Sequence, residues 1–247
     1  MKGIIYYTDC DLDETIAGAV RDQLLKCAEA LGISIVSSSL KKMAFGDKNI
    51  HFPSLKKGRL TMFWQIIAGL ENSLADIIFF AEHDCLYHPS HFDFSPKERQ
   101  VYYYNTNVWK VRWSDGFSVK VDNKRQMSGL CGYRDFLLAH FHKKVQIIIQ
   151  RQREALATGR PLENEGMSRH MGFEPGMHTP PRGVDDFPTA AWRSIYPILD
   201  IRHGANLTKD RWLKSQFPHP KDHAGWTQTH ADKIPGWKGF YSHAQNT

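Results

Sequence analysis

The sequence predicts an α/β fold of the Rossmann type, with a mostly parallel sheet flanked by helices and an irregular C-terminal region. Three observations carry this expectation. Strand and helix signals alternate along the first half of the chain. The run Ala75-Asp76-Ile77-Ile78-Phe79-Phe80-Ala81 is almost continuously apolar, as in a strand covered on both faces. The connections are short, which favours right-handed crossovers in a doubly wound sheet.

Each element has its own local reason. Ile4 to Thr8 is a short buried strand that ends in the acidic turn Asp9-Cys10-Asp11. Asp13 can cap a helix running to Leu31, where Ile16, Ala19, Val20, Gln23, Leu24 and Cys27 recur at helical spacing and Gly32 stops it. Ile33 to Ser37 is the next strand, and Lys41 to Lys57 a polar loop. Leu60 to Asn72 is a second amphipathic helix, with Met62, Ile66, Gly69 and Leu70 on one side. Val101 to Arg112 and Phe117 to Val121 form a hairpin-like pair across Ser114-Asp115-Gly116. Gly132 to Ala157 is helical, with a break near Lys143. Beyond Gly159, Pro, Gly, His and Trp dominate, which predicts loops over a site and a docked tail. One unit is expected over 1–247, with a first half (1–100), a second half (101–215) and the tail (216–247).

Composition narrows the function classes. The 247 residues are 41% hydrophobic, enough for one substantial core, and the net charge of +6 suits a polyanionic ligand. No apolar run approaches the roughly 20 residues that span a bilayer. The N-terminal segment enters a strand with no signal-peptide pattern, and four scattered cysteines lack a Cys-x-x-Cys pair. A reduced cytoplasmic protein is therefore expected.

The segment Glu82-His83-Asp84 follows the apolar run. In an open parallel sheet, ligands bind beyond the carboxyl ends of the strands, so both carboxylates would enter that crevice. Two hard oxygen ligands suit Mg²⁺ or Mn²⁺. On spacing alone an alternative stands beside this one: Asp84 capping the turn, with Glu82 a solvated loop residue. His83, His88, His91 and Cys85 do not have the spacing of a structural zinc site. The basic run Lys143, Lys144, Arg151 and Arg153 reads as a solvated helix face.

An apolar strand, then acid-x-Asp, then Leu86-Tyr87-His88-Pro89-Ser90-His91-Phe92 resembles the metal site of GT-A glycosyltransferases, especially family-2-like ones. Thr8-Asp9 after the opening strand resembles their base-binding strand end. Lys57-Gly58-Arg59 before the helix with Gln65 resembles the segment beneath the nucleotide. Ser128-Gly129-Leu130-Cys131-Gly132-Tyr133-Arg134 resembles the acceptor-side turn. The resemblance covers roughly residues 3 to 140, and the first acid is Glu82 where the family carries Asp.

The resemblance implies a GT-A-like fold and a divalent metal, Mn²⁺ or Mg²⁺, with a nucleotide-sugar as donor. It implies Asp84 as a metal ligand, with the late His203 in Asp200-Ile201-Arg202-His203-Gly204 as a second. Thr8, Asp9, Lys57, Arg59, Glu82 and Arg202 would contact the nucleotide. A carboxylate should deprotonate the acceptor hydroxyl, with candidates Glu163, Glu165, Glu174, Asp185 and Asp186. Glu174, in the constrained Gly172-Phe173-Glu174-Pro175-Gly176 turn, is favoured, and Asp185-Asp186 is the nearest match to an acidic pair. The acceptor, whether glycan, protein, small molecule or modified DNA, is not specified.

Three other readings are discriminated by sequence. Nucleotidyl transfer would call for a Gly-rich phosphate loop after the first strand, where Thr8-Asp9-Cys10-Asp11 stands. A nucleic-acid-binding protein would call for a recognisable module or a continuous basic stripe, and neither is visible in linear order. A Gly-x-Ser-x-Gly hydrolase elbow is absent.

Overall fold

The structure is a computed structural model that describes residues 1–121, 123–159, 172–180, 182–204, 206, 209–217 and 219–245. The chain opens β1 (Lys2–Thr8), α1 (Glu14–Leu31), β2 (Ser34–Ser39), β3 (Lys48–His51), α2 (Arg59–Asn72) and β4 (Ile77–Glu82). There follow β5 (Cys85–Leu86), β6 (Tyr102–Asn105), β7 (Val108–Arg112), β8 (Phe117–Val121), β9 (Leu130–Tyr133) and α3 (Arg134–Ala157). The last elements are β10 (Thr189–Trp192), β11 (Ile198–Arg202), β12 (Gln228–His230) and a short α4 (Phe240–Ala244).

Seven strands form the main sheet in the order β10-β6-β9-β4-β1-β2-β3. Its strands run parallel except β9, which is antiparallel to both neighbours. The mixed α/β architecture, a central sheet flanked by helices, is the predicted one. Side-chain alternation in β1 splits the core in two. Ile4 and Tyr6 pack with Val20, Leu24 and Cys27 of α1, whereas Ile5 and Tyr7 pack with Ile66 and Leu70 of α2 and Phe141 of α3. The Asp13 carboxylate accepts from Thr15 N at 2.8 Å as the cap of α1, and Gly32, at φ 62°, ends that helix.

A second sheet, β12-β8-β7-β11-β5, branches from the first. It joins the main sheet at β5, which follows β4 after two residues and pairs antiparallel with β11 through Leu199–Leu86 and Asp200–Cys85. This seam positions the site.

Four expectations need correction. The stretch from Val101 to Arg112 is two strands, because Thr106 and Asn107 interrupt it and carry the chain from one sheet to the other. The buried Asn105 fixes the break: its Oδ1 accepts from Asn107 N at 3.0 Å, and its amide nitrogen donates to Ser194 Oγ at 2.7 Å. The hairpin across Ser114-Asp115-Gly116 is therefore β7–β8 alone. The polar loop contains β3, an edge strand whose exposed Lys48 and His51 hide its periodicity. Helix α3 runs unbroken through Lys143, and Lys144 is fully buried rather than solvated. Among the described residues no helix is long and apolar enough to cross a membrane.

Gly69 of α2 lies against β1, where a Cβ would stand 2.6 Å from Ile5 Cγ2. Ile5 is wholly buried and β-branched, so it has little freedom to yield. Gly69→Ala is expected to destabilise the fold by about 1–3 kcal/mol through overpacking. A urea midpoint unchanged from that of the native chain would show that β1 and α2 can separate without cost.

Candidate functional site

A cleft of about 1340 Å³ opens along the carboxyl ends of β1 and β4 and the adjoining edge of the second sheet. It is lined by nine of the ten site residues expected from the sequence: Thr8, Asp9, Lys57, Arg59, Glu82, Asp84, Glu174, Arg202 and His203. Asp186 is exposed and is not among the lining residues.

The acidic centre is built where β4 ends. Glu82 and Asp84 bring carboxylate oxygens, with the Cys85 thiol, within 4.8 Å of one another. The Glu82 carboxylate accepts from Tyr7 OH at 2.8 Å, and its backbone N–H donates to Tyr87 OH at 3.1 Å. Asp84 is held by the late chain. Its carbonyl accepts from Ile201 N at 2.8 Å, and its Oδ2 accepts from Asn206 Nδ2 at 2.9 Å. Asn206 also donates to Ile201 O at 3.0 Å and accepts from His203 N at 2.9 Å. It thereby locks the turn that presents His203, a role not legible in the sequence, where Asn206 is one polar residue in a loop.

His203 Nε2 is buried, lacks a hydrogen-bond partner among the described residues, and lies 3.6 Å from Asp84 Oδ2. An orphaned imidazole nitrogen beside a carboxylate oxygen, at slightly more than the contact of two atoms sharing one cation, fits a divalent ion held between them. Oxygen donors with one imidazole suit Mn²⁺ or Mg²⁺. The Cys85 thiol is buried, its pKa raised well above the ordinary value by burial, and it does not line the cleft. Electrostatics separates the two acids. Burial, reinforced by the Asp84 charge, pushes Glu82 up to about 8. Burial acts to raise Asp84 too, but His203, His83 and Arg202 together hold it below the ordinary carboxylate value.

At the end of β1, Thr8 and Asp9 are already engaged. Thr8 Oγ1 meets His83 Nδ1 at 2.8 Å and accepts from Cys10 N at 2.9 Å. Asp9 pairs with Lys57 Nζ at 2.6 Å and faces His83 at 3.6 Å. Gln65 from α2 donates to Thr8 O at 2.8 Å and Ser38 O at 3.2 Å, tying the ends of β1 and β2 together. His83 therefore turns toward β1, because residues 83 and 84 form a turn and strand alternation no longer applies.

On the opposite wall, Arg202 is 6% exposed and committed to carboxylates: Nε to Asp210 at 2.7 Å and Nη1 to Asp200 at 3.4 Å. Lys110 of β7 lies 4.0 Å from Asp200, and burial lowers its pKa. The signal for Lys110 is a lysine flanked on both sides by apolar residues, Val108-Trp109 and Val111, within a strand.

Glu174 enters the cleft from a turn pinned on both sides. Lys144 Nζ donates to Phe173 O at 2.8 Å, and Tyr104 OH donates to Pro175 O at 2.6 Å. Arg59 stacks on Phe173, 4.6 Å from its ring centre. Burial raises the Glu174 pKa against the opposing pull of nearby backbone N–H groups and Lys144. Asp185, by contrast, is buried with His140 (2.6 Å) and Tyr102 (2.9 Å), and serves the interior. Glu163 and Glu165 lie outside the described residues.

No family model matches the chain, and no curated protein does. Solved structures do match. One of them is a glycosyltransferase involved in the glycosylation of the major capsid of PBCV-1, at 9% identity and a TM-score of 0.39, covering 62% of this chain and 68% of that one.

Proposed function

We propose that the protein is a GT-A glycosyltransferase, family-2-like, that moves a sugar from a nucleotide-diphosphate donor to a hydroxyl acceptor with the help of a divalent metal. The observation that carries this reading is the meeting of Glu82, Asp84 and the orphaned His203 Nε2 at the carboxyl end of β4, inside the cleft. The sequence resemblance supplies the reaction class, since a fold by itself does not.

In this reading Asp84 and His203 would hold the ion, which when bound would supply positive charge against the negative charge developing on the departing diphosphate. Asp9 and Thr8 face the base and ribose, and Lys57 neutralises Asp9 while remaining near the phosphates. Arg202, braced by Asp200 and Asp210, contributes its field from the wall of the cleft, without a free guanidinium edge being required. Glu174 takes the proton from the attacking hydroxyl. A carboxylate whose pKa is raised by burial is better matched to that task near neutral pH than an exposed one. Asp186, outside the cleft lining, is a weaker candidate on geometry.

The test is thermal stability against a panel of nucleoside diphosphates and nucleotide-sugars, each with Mn²⁺ and with EDTA. A ligand at 100 times its dissociation constant stabilises by about 2.7 kcal/mol. One nucleotide is expected to raise the melting point only with metal. No rise with any of them would end the reading.

A further inference from the structure

The cleft is electrostatically divided. Among its lining residues, those before position 100 comprise five carboxylates (Asp9, Asp11, Asp13, Glu82, Asp84) against Lys57 and Arg59. Those after position 100 reverse the balance, with seven Lys and Arg against Glu174, Asp200 and Asp210. Asp200 and Asp210 are engaged at the floor with Lys110 and Arg202, and Lys124, Arg125, Lys209 and Arg211 line the same side of the cleft. Lys209 is exposed and the other three are partly exposed. Arg125 also donates to Thr189 Oγ1, and Arg211 lies 5.7 Å from the Phe217 ring centre.

Aromatic surface accompanies this charge. Trp113 lines the cleft and is partly exposed. Arg112, paired with Asp115 at 2.8 and 2.6 Å, lies 4.9 Å from the Phe117 ring centre and 5.3 Å from that of Trp212. Both rings stand beside the cleft lining, partly exposed, and pack on the cluster of Val119, Val121 and Phe217. These residues come from in and around β7 and β8 and from the segment after β11, so they meet only in the folded chain.

We infer that the basic wall of the cleft binds a nucleic-acid strand, with phosphodiesters on Lys124, Arg125, Lys209 and Arg211 and bases on the adjoining aromatic rings. Cations that track a backbone, interleaved with rings on which bases stack, are the physical signature of single-strand binding. A purely anionic small acceptor would need the charge but not the rings. That the bound strand is the acceptor rests on the glycosyl-transfer reading; the binding itself does not.

The experiment measures fluorescence anisotropy of a labelled single-stranded DNA of about 15 nucleotides, near the upper site size of a single binding groove, across a salt series. An abasic strand of equal length and heparin serve as comparison ligands. Binding should weaken with salt, the abasic strand should bind less tightly, and Lys124→Glu/Lys209→Glu/Arg211→Glu should lose at least about tenfold in affinity and flatten the salt slope. No binding at low salt, an unaffected triple variant, or equal binding of heparin and the abasic strand would each overturn the inference, the last in favour of an anionic glycan. Metal-dependent stabilisation by nucleotide is followed on the same samples. Its loss from the native protein, with DNA binding intact, would remove the transferase reading and leave the basic wall standing.

Discussion

In EDTA, Asp84→Asn should melt within a few degrees of the native protein, yet in Mn²⁺ and nucleotide it should lose the entire ligand-induced rise. The fold has a modest stake in the charge, which His203, His83 and Arg202 favour against burial. The backbone carbonyl of residue 84 still receives Ile201 N, and an asparagine oxygen can still accept from Asn206. The ion has much at stake, because the substitution replaces its anionic ligand with a neutral amide. For a chain of this size about 1 kcal/mol corresponds to roughly 2–4 °C, so saturating ligand should shift the native melting point by about 5–11 °C. A variant that keeps that shift would move the metal away from Asp84.

Glu82→Gln is expected to act in the opposite direction. A carboxyl whose folded pKa is raised from 4.5 to about 8 contributes stability that is fully present below the unfolded value and lost as pH climbs through that window. The glutamine keeps an oxygen for Tyr7 OH and cannot ionise. Without metal, the variant should therefore match the native protein near pH 4.5 and melt progressively higher above it. By pH 8 the margin should reach about 1–2 kcal/mol after allowance for partial solvent access, roughly 2–8 °C. With Mn²⁺ and nucleotide the order should invert, because the native carboxylate gives up its proton to favour the cation. Parallel melting curves from pH 5 to 8.5 would show that Glu82 titrates as an ordinary carboxyl.

The parts of this molecule that were legible in sequence are those set by local periodicity. The helix from Glu14 to Leu31 carries its cap and its stop within itself, and the apolar run before Glu82 announces a central strand. What escaped depends on partners distant in the chain. Lys48 to His51 forms a strand only because β2 offers an edge to pair with, and Ile50 is the one apolar side chain among its four. Asn105 breaks a strand because His91 and Ser194 hold its amide, 14 and 89 residues away. Lys144 reads as one cation in a basic run, but its place on α3 turns it inward onto Phe63 and the Phe173 carbonyl. The site divides the same way. Asp84 and Glu82 were visible as a pair after a strand. The contribution of Asn206, 122 residues from its partner Asp84, arises from the β5–β11 pairing.

That pairing has a consequence for how the protein comes into being. A ribosome delivers β1 to β4 early, and with them most of the main sheet's parallel strands. His203 and Asn206 emerge only after β11, more than a hundred residues later. An ion that requires both Asp84 and His203 finds no complete site on the nascent chain, so it cannot nucleate folding and can only report its completion. Long-range closure of this kind is slow relative to local helix and hairpin formation. In the proposed reading the cation site is completed only once β11 has emerged, and a chain truncated before β11 would carry the main sheet's parallel strands without a complete cation site.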